Sequence, residues 1–88
     1  MHPTELALLL GPMGRLLTFR KERGEKVNVY RRVVGLGSAW QLVAPDICSP
    51  FLDAEPFASG TALEYHVQHL TEQDIYQGHS PIVRITLS

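Results

Sequence analysis

The sequence has few of the features that cross-link small domains or anchor them to a membrane. Cys48 is the only cysteine, so no internal disulfide can form, and the simplest interpretation is a small buried or half-buried side chain. No stretch approaches the ~20 apolar residues of a membrane span. The apolar run at 6–10 is short and has no basic residues before it, so a secretory signal peptide is not indicated, which favours the cytoplasm.

An excess of either charge is also missing. Eight Lys and Arg residues against nine Asp and Glu residues give a net charge of −1, so no global field attracts nucleic acid or acidic membranes. Seven of the eight basic residues nevertheless lie within residues 15–32, opposed there only by Glu22 and Glu25. Ordinary solvated charge explains this basic segment. The alternative is an anionic partner held by Arg20, Lys21, Arg23, Lys26 and Arg32, with Tyr30 or Trp40 as a stacking surface.

Length and composition indicate one globular domain over residues 1–88. A chain of 88 residues can bury one modest core, and 44% apolar with 19% charged residues is typical of folded proteins. No internal repeat or low-complexity segment divides it.

The stretch at 57–70 organises this domain, as a sharp corner followed by the central strand of a small β-sandwich. It alternates between an apolar and a polar face, with Leu63, Tyr65 and Val67 set against Glu64, His66 and Gln68. This period of two predicts a strand. A helix is the alternative, because Leu63, Val67 and Leu70 have helical spacing and Thr61 with Glu64 has the spacing of a capping box. The preceding Ser59-Gly60 turn signal favours the strand.

Six further short strands are predicted around it, at 4–10, 15–20, 27–34, 39–44, 51–54 and 82–87. Their apolar positions alternate, so Leu17 and Phe19 in the second, and Val27 and Val29 in the third, are expected to share inward faces. The first could instead form one helical turn. A turn is predicted at 35–38 and a polar loop at 71–79. About seven strands without a long helix predict an all-β, two-sheet antiparallel β-sandwich.

Five motifs in order resemble a fibronectin type III domain, of the immunoglobulin-like class and the bacterial type. They are VNVYRR at 27–32, WQLVA at 40–44, PFLD at 50–53, GT followed by LEYHV within 60–67, and GHSPIV at 78–83. The resemblance covers residues 4–88. It implies a spacer, an adhesion module or a protein-binding surface.

Two positions depart from that family's pattern. The family's corner tyrosine usually lies two residues after the Thr of the Gly-Thr turn, where this chain has Leu63, and Tyr65 follows two residues later. Phe19 stands where the family often has Trp. Leucine cannot make the corner hydrogen bond, so either packing alone holds the corner or the register differs by two.

No set of residues predicts catalysis, a metal site or a bound cofactor. His66 and His69 point to opposite faces of a strand and could share a zinc ion only on a helix, and His2 and His79 are isolated in the sequence. The pairs Asp53 with Glu55 and Glu72 with Asp74 are expected to be solvated loop charges.

Two short motifs are equally uninformative. Gly35-Leu36-Gly37-Ser38 lacks the later glycine and the helix start of a phosphate loop. Arg23-Gly24-Glu25 resembles an integrin-type Arg-Gly-Asp tripeptide, but it falls in an earlier loop than the family uses.

The sequence therefore predicts a non-enzymatic protein-interaction or structural module that binds a protein partner or self-associates. Its candidate interaction surface is the outward face of the third, sixth and seventh predicted strands, with Asn28, Tyr30, Arg32, His66, Gln68 and Arg84. The alternative is a small β-barrel that binds single-stranded nucleic acid through residues 15–32. Neither hypothesis requires a membrane.

Overall fold

A computed structural model describes residues 5–35 and 37–88, and all regular structure within these ranges is β. Expectations for His2, Thr4 and Leu36 lie outside the described residues. The strands are β1 (Leu6–Gly11), β2 (Gly14–Phe19), β3 (Glu25–Val33), β4 (Gln41–Ala44), β5 (Phe51–Asp53), β6 (Ala62–Thr71), β7 (Tyr76–His79) and β8 (Val83–Thr86).

The strands form a β-sandwich of two antiparallel sheets. The first sheet has the order β1-β2-β5. The second has the order β4-β3-β6, and both β7 and β8 pair with the far edge of β6. β8 pairs with the first half of β6, from Ala62 to Tyr65, and β7 pairs with the second half, from Gln68 to Leu70. The chain changes sheet after β2, after β4 and after β5.

The core lies where the inward faces of the two sheets meet. Every second residue of β3 and β6 points inward, because side chains alternate between the faces of a strand. The fully buried apolar residues are Leu17, Val27, Val29, Leu63, Tyr65 and Val67. Burying each such side chain contributes roughly 1.5–3 kcal/mol relative to leaving it exposed.

The predicted sandwich and the predicted strand at 61–70 are confirmed. β6 pairs with β3 on one side and with β7 and β8 on the other, so its backbone is bonded along both edges. The helical alternative is wrong. Pairing of β6 within the sheet buries Leu63, Tyr65 and Val67 together, and this burial stabilises the strand more than a capping box would stabilise a helix. The inward positions of Leu17, Val27 and Val29 are confirmed as well.

The prediction of a loop over 71–79 is wrong, because the end of this segment forms β7. This strand is the one observed beyond the seven predicted. A tight turn follows β6, in which Thr71 Oγ1 accepts hydrogen bonds from the backbone N–H groups of Gln73 and Ile75. Asp74 takes the left-handed conformation there, with φ at 65°. The chain then returns as β7, whose residues are largely exposed. A strand at such an edge needs no apolar face, so its polar composition resembles that of a loop.

Candidate functional site

The outward face of the second sheet brings the predicted surface residues together. In the register between β3 and β6, Asn28 lies opposite Gln68 and Tyr30 lies opposite His66. The next outward pair is Arg32 with Glu64, and Glu64 in turn lies opposite Arg84 on β8. All six residues of the candidate interaction surface therefore share one face: Asn28, Tyr30, Arg32, His66, Gln68 and Arg84.

Aromatic rings form the centre of this face. The rings of Tyr30 and His66 are stacked, with centroids 5.1 Å apart and planes 10° from parallel. Trp40 meets His66 edge-on at 4.5 Å, and the His79 ring lies 5.8 Å from His66. The guanidinium of Arg32 lies over the Trp40 ring, 4.5 Å from its centroid. His66 thus contacts rings from three other chain segments, which holds the centre in one arrangement.

Polar contacts hold the side chains around the rings. Gln68 Oε1 accepts hydrogen bonds from Asn28 Nδ2 at 3.4 Å and from the Tyr30 hydroxyl at 3.3 Å. Arg32 Nε donates to Glu64 Oε1 at 2.7 Å. Arg32 is therefore oriented by a carboxylate and a ring at once.

The His66 imidazole at the centre of this face has a lowered pKa. Burial is the largest cause, and repulsion from His79 and Arg32 lowers the pKa further. The shift favours the uncharged imidazole, which is compatible with stacking on Tyr30.

Trp40, Glu64 and His79 belong to this face although the predicted interaction surface does not include them. Trp40 precedes β4, and only the pairing of β4 with β3 carries it over His66. His79 lies on β7, the strand predicted as a loop. Glu64 was assigned to the correct face of its strand, but its pairing with Arg32 depends on the register between strands far apart in sequence.

The interior contains a second polar group, here called the buried ion cluster: Arg15, Arg31, Asp53, Glu55 and Tyr65. Asp53 Oδ2 accepts hydrogen bonds from the Tyr65 hydroxyl at 2.5 Å and from Arg31 Nη1 at 2.8 Å, and it lies 3.1 Å from Arg15 Nη2. Arg15 Nε donates to the Tyr65 oxygen at 3.0 Å, and Arg31 Nη2 donates to Glu55 Oε2 at 3.0 Å. These bonds join the two sheets.

The expectation that Asp53 is a solvated loop charge is wrong. The residue is only 4% exposed, because it is the last residue of β5 and points between the sheets. Glu55 lies two residues beyond the end of β5, and its side chain remains mostly exposed. The two acids differ because a side chain inside a strand is directed by the sheet, whereas one in the following loop can turn to water.

Ionisation in the buried ion cluster is decided by hydrogen bonds. Burial alone opposes the charged form of Asp53, but bonds from Tyr65, Arg31 and Arg15 outweigh it and lower the pKa of that carboxyl. Burial and the bond to Asp53 raise the pKa of Tyr65 to about 12. The ring of Phe57 covers both guanidinium groups, at 5.4 Å for Arg15 and 4.8 Å for Arg31. The charges are thus paired and shielded, which suits a structural role.

The basic segment does not form a continuous cationic surface. Arg15 and Arg31 point into the sandwich and belong to the buried ion cluster. Outside it, the pairs are Lys21 with Asp46, Lys26 with Asp74, Arg20 with Glu22 and Arg32 with Glu64. Because side chains alternate between the two faces of β2 and β3, the basic residues of 15–32 are divided between the interior and opposite outer surfaces.

The histidines are separated as predicted for a strand. His69 is fully buried, with Nδ1 3.2 Å from Glu25 Oε1, whereas His66 points outward. Within residues 5–35 and 37–88, no three His, Cys, Asp or Glu side chains are grouped as metal ligands. No helix of the described chain could cross a membrane.

Two smaller expectations are settled by burial. Cys48 is exposed, so its assignment as a buried or half-buried side chain is wrong; it lies in the connection between β4 and β5, which the sheets leave uncovered. The acid of Arg23-Gly24-Glu25 is turned inward, where Glu25 Oε1 accepts from the Glu22 backbone N–H at 2.9 Å and contacts His69. The tripeptide therefore does not present its carboxylate.

Comparison of the chain with protein-family models, with curated proteins and with solved structures gives no significant match.

Proposed function

We propose that this chain is a non-enzymatic interaction module that binds a protein partner through the outward face of its second sheet. The observation that carries the proposal is the fixed group of Tyr30, His66 and Arg32 at the centre of that face, held by ring contacts and by the Arg32–Glu64 bond. Aromatic and arginine side chains contribute most of the binding energy at protein interfaces.

Pre-organisation strengthens this proposal. A side chain that must be immobilised on binding costs about 0.5–1.5 kcal/mol. Tyr30, Arg32 and Gln68 already occupy fixed positions through their mutual contacts, so less order has to be created on association. Asn28 and Arg84 lie around the centre, as the polar rim of an interface does.

The connectivity supports the proposed relation to fibronectin type III domains. β1 and β2 form a hairpin in the first sheet, and β3 and β4 form a hairpin in the second. β5 then returns to pair with β2, and β6 pairs with β3 and carries β7 and β8 on its other edge. This order is the one expected of such a sandwich. The tyrosine departure also has a structural counterpart. Tyr65 points inward and its hydroxyl bonds the Asp53 side chain, so it ties β6 to β5 from within the core.

The proposal is tested by replacing the centre of the face and a residue outside both outer faces in parallel. Tyr30→Ala and Arg32→Ala are the test variants, and Gln73→Ala in the exposed turn after β6 is the control. With a photo-crosslinking residue in place of the exposed Arg84, we expect one protein to be captured from the source cells by the control. The two test variants should lose at least ten-fold of that product.

Folding of the test variants is measured first. Tyr30 is only half-buried, so Tyr30→Ala should keep a cooperative thermal transition within about 10 °C of the wild type. A larger fall would mean that Tyr30 is a core residue. Equal crosslinking by all variants would contradict the proposed face.

The nucleic-acid alternative has its own test. Labelled single-stranded oligonucleotides are titrated at two salt concentrations, and tight binding with a steep salt dependence would support it. The pairing of Lys21, Lys26 and Arg32 with carboxylates argues against that result, because those charges are already neutralised.

A further inference from the structure

The outward face of the first sheet carries a row of leucines. In the strand register, Leu9 of β1 lies opposite Leu16 of β2, and Leu16 lies opposite Leu52 of β5. Leu9 is 65% exposed and Leu52 is 43% exposed. In a sandwich the outward positions are usually polar, so three leucines aligned across a whole sheet require a reason.

The composition of β1 indicates what that reason is. Leu6 and Leu8 face the core, while Ala7 and Leu9 face outward, so the strand is apolar on both faces. Strands with this pattern are normally covered on both sides. Among the described residues that point outward from the three strands, none is charged: Ala7, Leu9, Leu16, Thr18 and Leu52.

Charges occur at one end of this face, as a pair of opposite sign. Glu5 precedes β1 and Arg20 follows β2, and the two residues line the same shallow cavity with Ala7 and Thr18. Glu5 is exposed, and the Arg20 side chain is 58% exposed and lies 3.5 Å from the Glu22 carboxylate. The face therefore has an uncharged centre, and the two opposite charges at its edge sum to zero.

We propose that this leucine face is the interface with a second copy of this chain, related by a two-fold axis that runs along the strands between β1 and β2. That axis places Leu9 over Leu16 of the partner subunit. It also places Glu5 over Arg20 of the partner subunit, and the reverse pair forms by symmetry.

Complementarity favours a second copy as the occupant. An isologous interface needs a patch that matches itself, and an apolar row with one acid and one base at the same end does so. This surface is on the opposite side of the sandwich from the candidate interaction surface, so the two proposals stand or fall separately.

Self-association is measured by sedimentation equilibrium of the full chain from micromolar to millimolar concentration. Leu9→Asp and, independently, Leu16→Asp should each weaken dimerisation at least ten-fold, because each puts a carboxylate into the centre of the interface. Leu42→Glu is the matched control, since Leu42 is 50% exposed on β4 of the other sheet. Circular dichroism and thermal unfolding confirm that all three remain folded.

A charge exchange tests the direction of the axis. Glu5→Lys alone should weaken the dimer, because it places two positive charges together in each of the two symmetry-related pairs. Glu5→Lys combined with Arg20→Glu should restore the wild-type dissociation constant, since the pair is re-formed with reversed sign. Because Glu5 and Arg20 line the same cavity within one chain, thermal unfolding of both variants is also measured where the chain is monomeric, and unchanged stability there assigns the effect to the dimer.

Three outcomes would overturn the proposal. The first is a full chain that remains monomeric at millimolar concentration. That result counts against the proposal even if a variant lacking residues 1–4 dimerises. The second is a dimer that Leu9→Asp and Leu16→Asp leave unchanged. The third is a dimer abolished by Tyr30→Ala, which would assign self-association to the other sheet.

Discussion

Tyr65 joins the two sheets through a single oxygen atom. Its hydroxyl donates to Asp53 Oδ2 and accepts from Arg15 Nε, so one phenol on β6 is bonded to both inward polar residues of the first sheet. A buried hydroxyl without partners would cost about 1–3 kcal/mol. The buried ion cluster removes that cost for Tyr65 and gives Asp53 its three donors.

Tyr65→Phe should therefore change the response to alkali. The pKa of Tyr65 is raised from 10.0 to about 12 in the folded chain, so its contribution is complete below pH 10 and is lost as the pH rises through 12. A shift of this size corresponds to about 3 kcal/mol. Urea unfolding at pH 8 and pH 11 should show a steeper loss for wild type than for Tyr65→Phe. Tyr76→Phe, at an exposed ring, serves as the control.

Asp53→Asn should be strongly destabilising at neutral pH. It removes the charge shared by Arg15 and Arg31, and one partner lost from a buried ion pair costs about 3–5 kcal/mol. Asp74→Asn is the control, because its pair with Lys26 is solvent-exposed and worth about 0–1 kcal/mol. The midpoint of chemical unfolding at pH 7 compares the two variants.

Acid should distinguish the same variants. The folded pKa of Asp53 is lowered, so its contribution is present above the unfolded pKa near 3.8 and is lost as the pH falls through the folded value. Wild type should lose stability in this window, and Asp53→Asn should lose less over the same range. Equal acid sensitivity of the two proteins would contradict this account of the cluster.

At the scale of elements, the contact between β2 and β5 depends on Gly14. A Cβ at this position would lie 2.4 Å from the Asp53 carbonyl oxygen and 2.9 Å from the Ala54 Cα, and the φ angle is 142°. No L-amino acid with a side chain fits without moving β5. The glycine therefore sets how closely β5 approaches β2, and through it the position of Asp53.

Gly14→Ala should lower the free energy of unfolding by about 3 kcal/mol, from the strained φ angle and the overpacked contact together. Gly11→Ala is the matched control, since Gly11 is the paired residue across the hairpin and its Cβ would have 3.9 Å of clearance. Thermal unfolding of both variants measures the difference. Equal stability of the two would show that β5 can shift freely.

At the scale of the whole molecule, β3 and β6 form the central pair of the second sheet. Their register runs without interruption from Glu25 opposite Thr71 to Val33 opposite Leu63. Both strands also pair on their other sides, and their inward residues include most of the fully buried apolar side chains. Protection from solvent should therefore be greatest here.

Hydrogen exchange measured by NMR should show this directly. The slowest amides are expected at Val29, Tyr65 and Val67, because they lie in central strands and open only with the core. Amides of β1 and β7, which lie at sheet edges, should exchange faster by orders of magnitude. Uniform protection over all strands would contradict this distribution of stability.

Much of this architecture was predictable because side-chain alternation is a local property. The period of two at 61–70 indicated which residues face the core, and the same period placed Asn28, Tyr30, Arg32, His66 and Gln68 on one outward side. Turn residues such as Ser59-Gly60 indicated where strands end. These signals depend on neighbours in the chain, so the sequence alone contains them.

The buried ion cluster was decided only by the tertiary structure. Arg15 and Tyr65 are 50 positions apart, and Arg31 and Asp53 are 22 apart, so no local pattern relates them. A charged residue at an inward strand position can be tolerated only when its counter-charge arrives from another strand. The alternation of the chain determined which side each residue takes, whereas pairing between distant strands determined which residue it meets there.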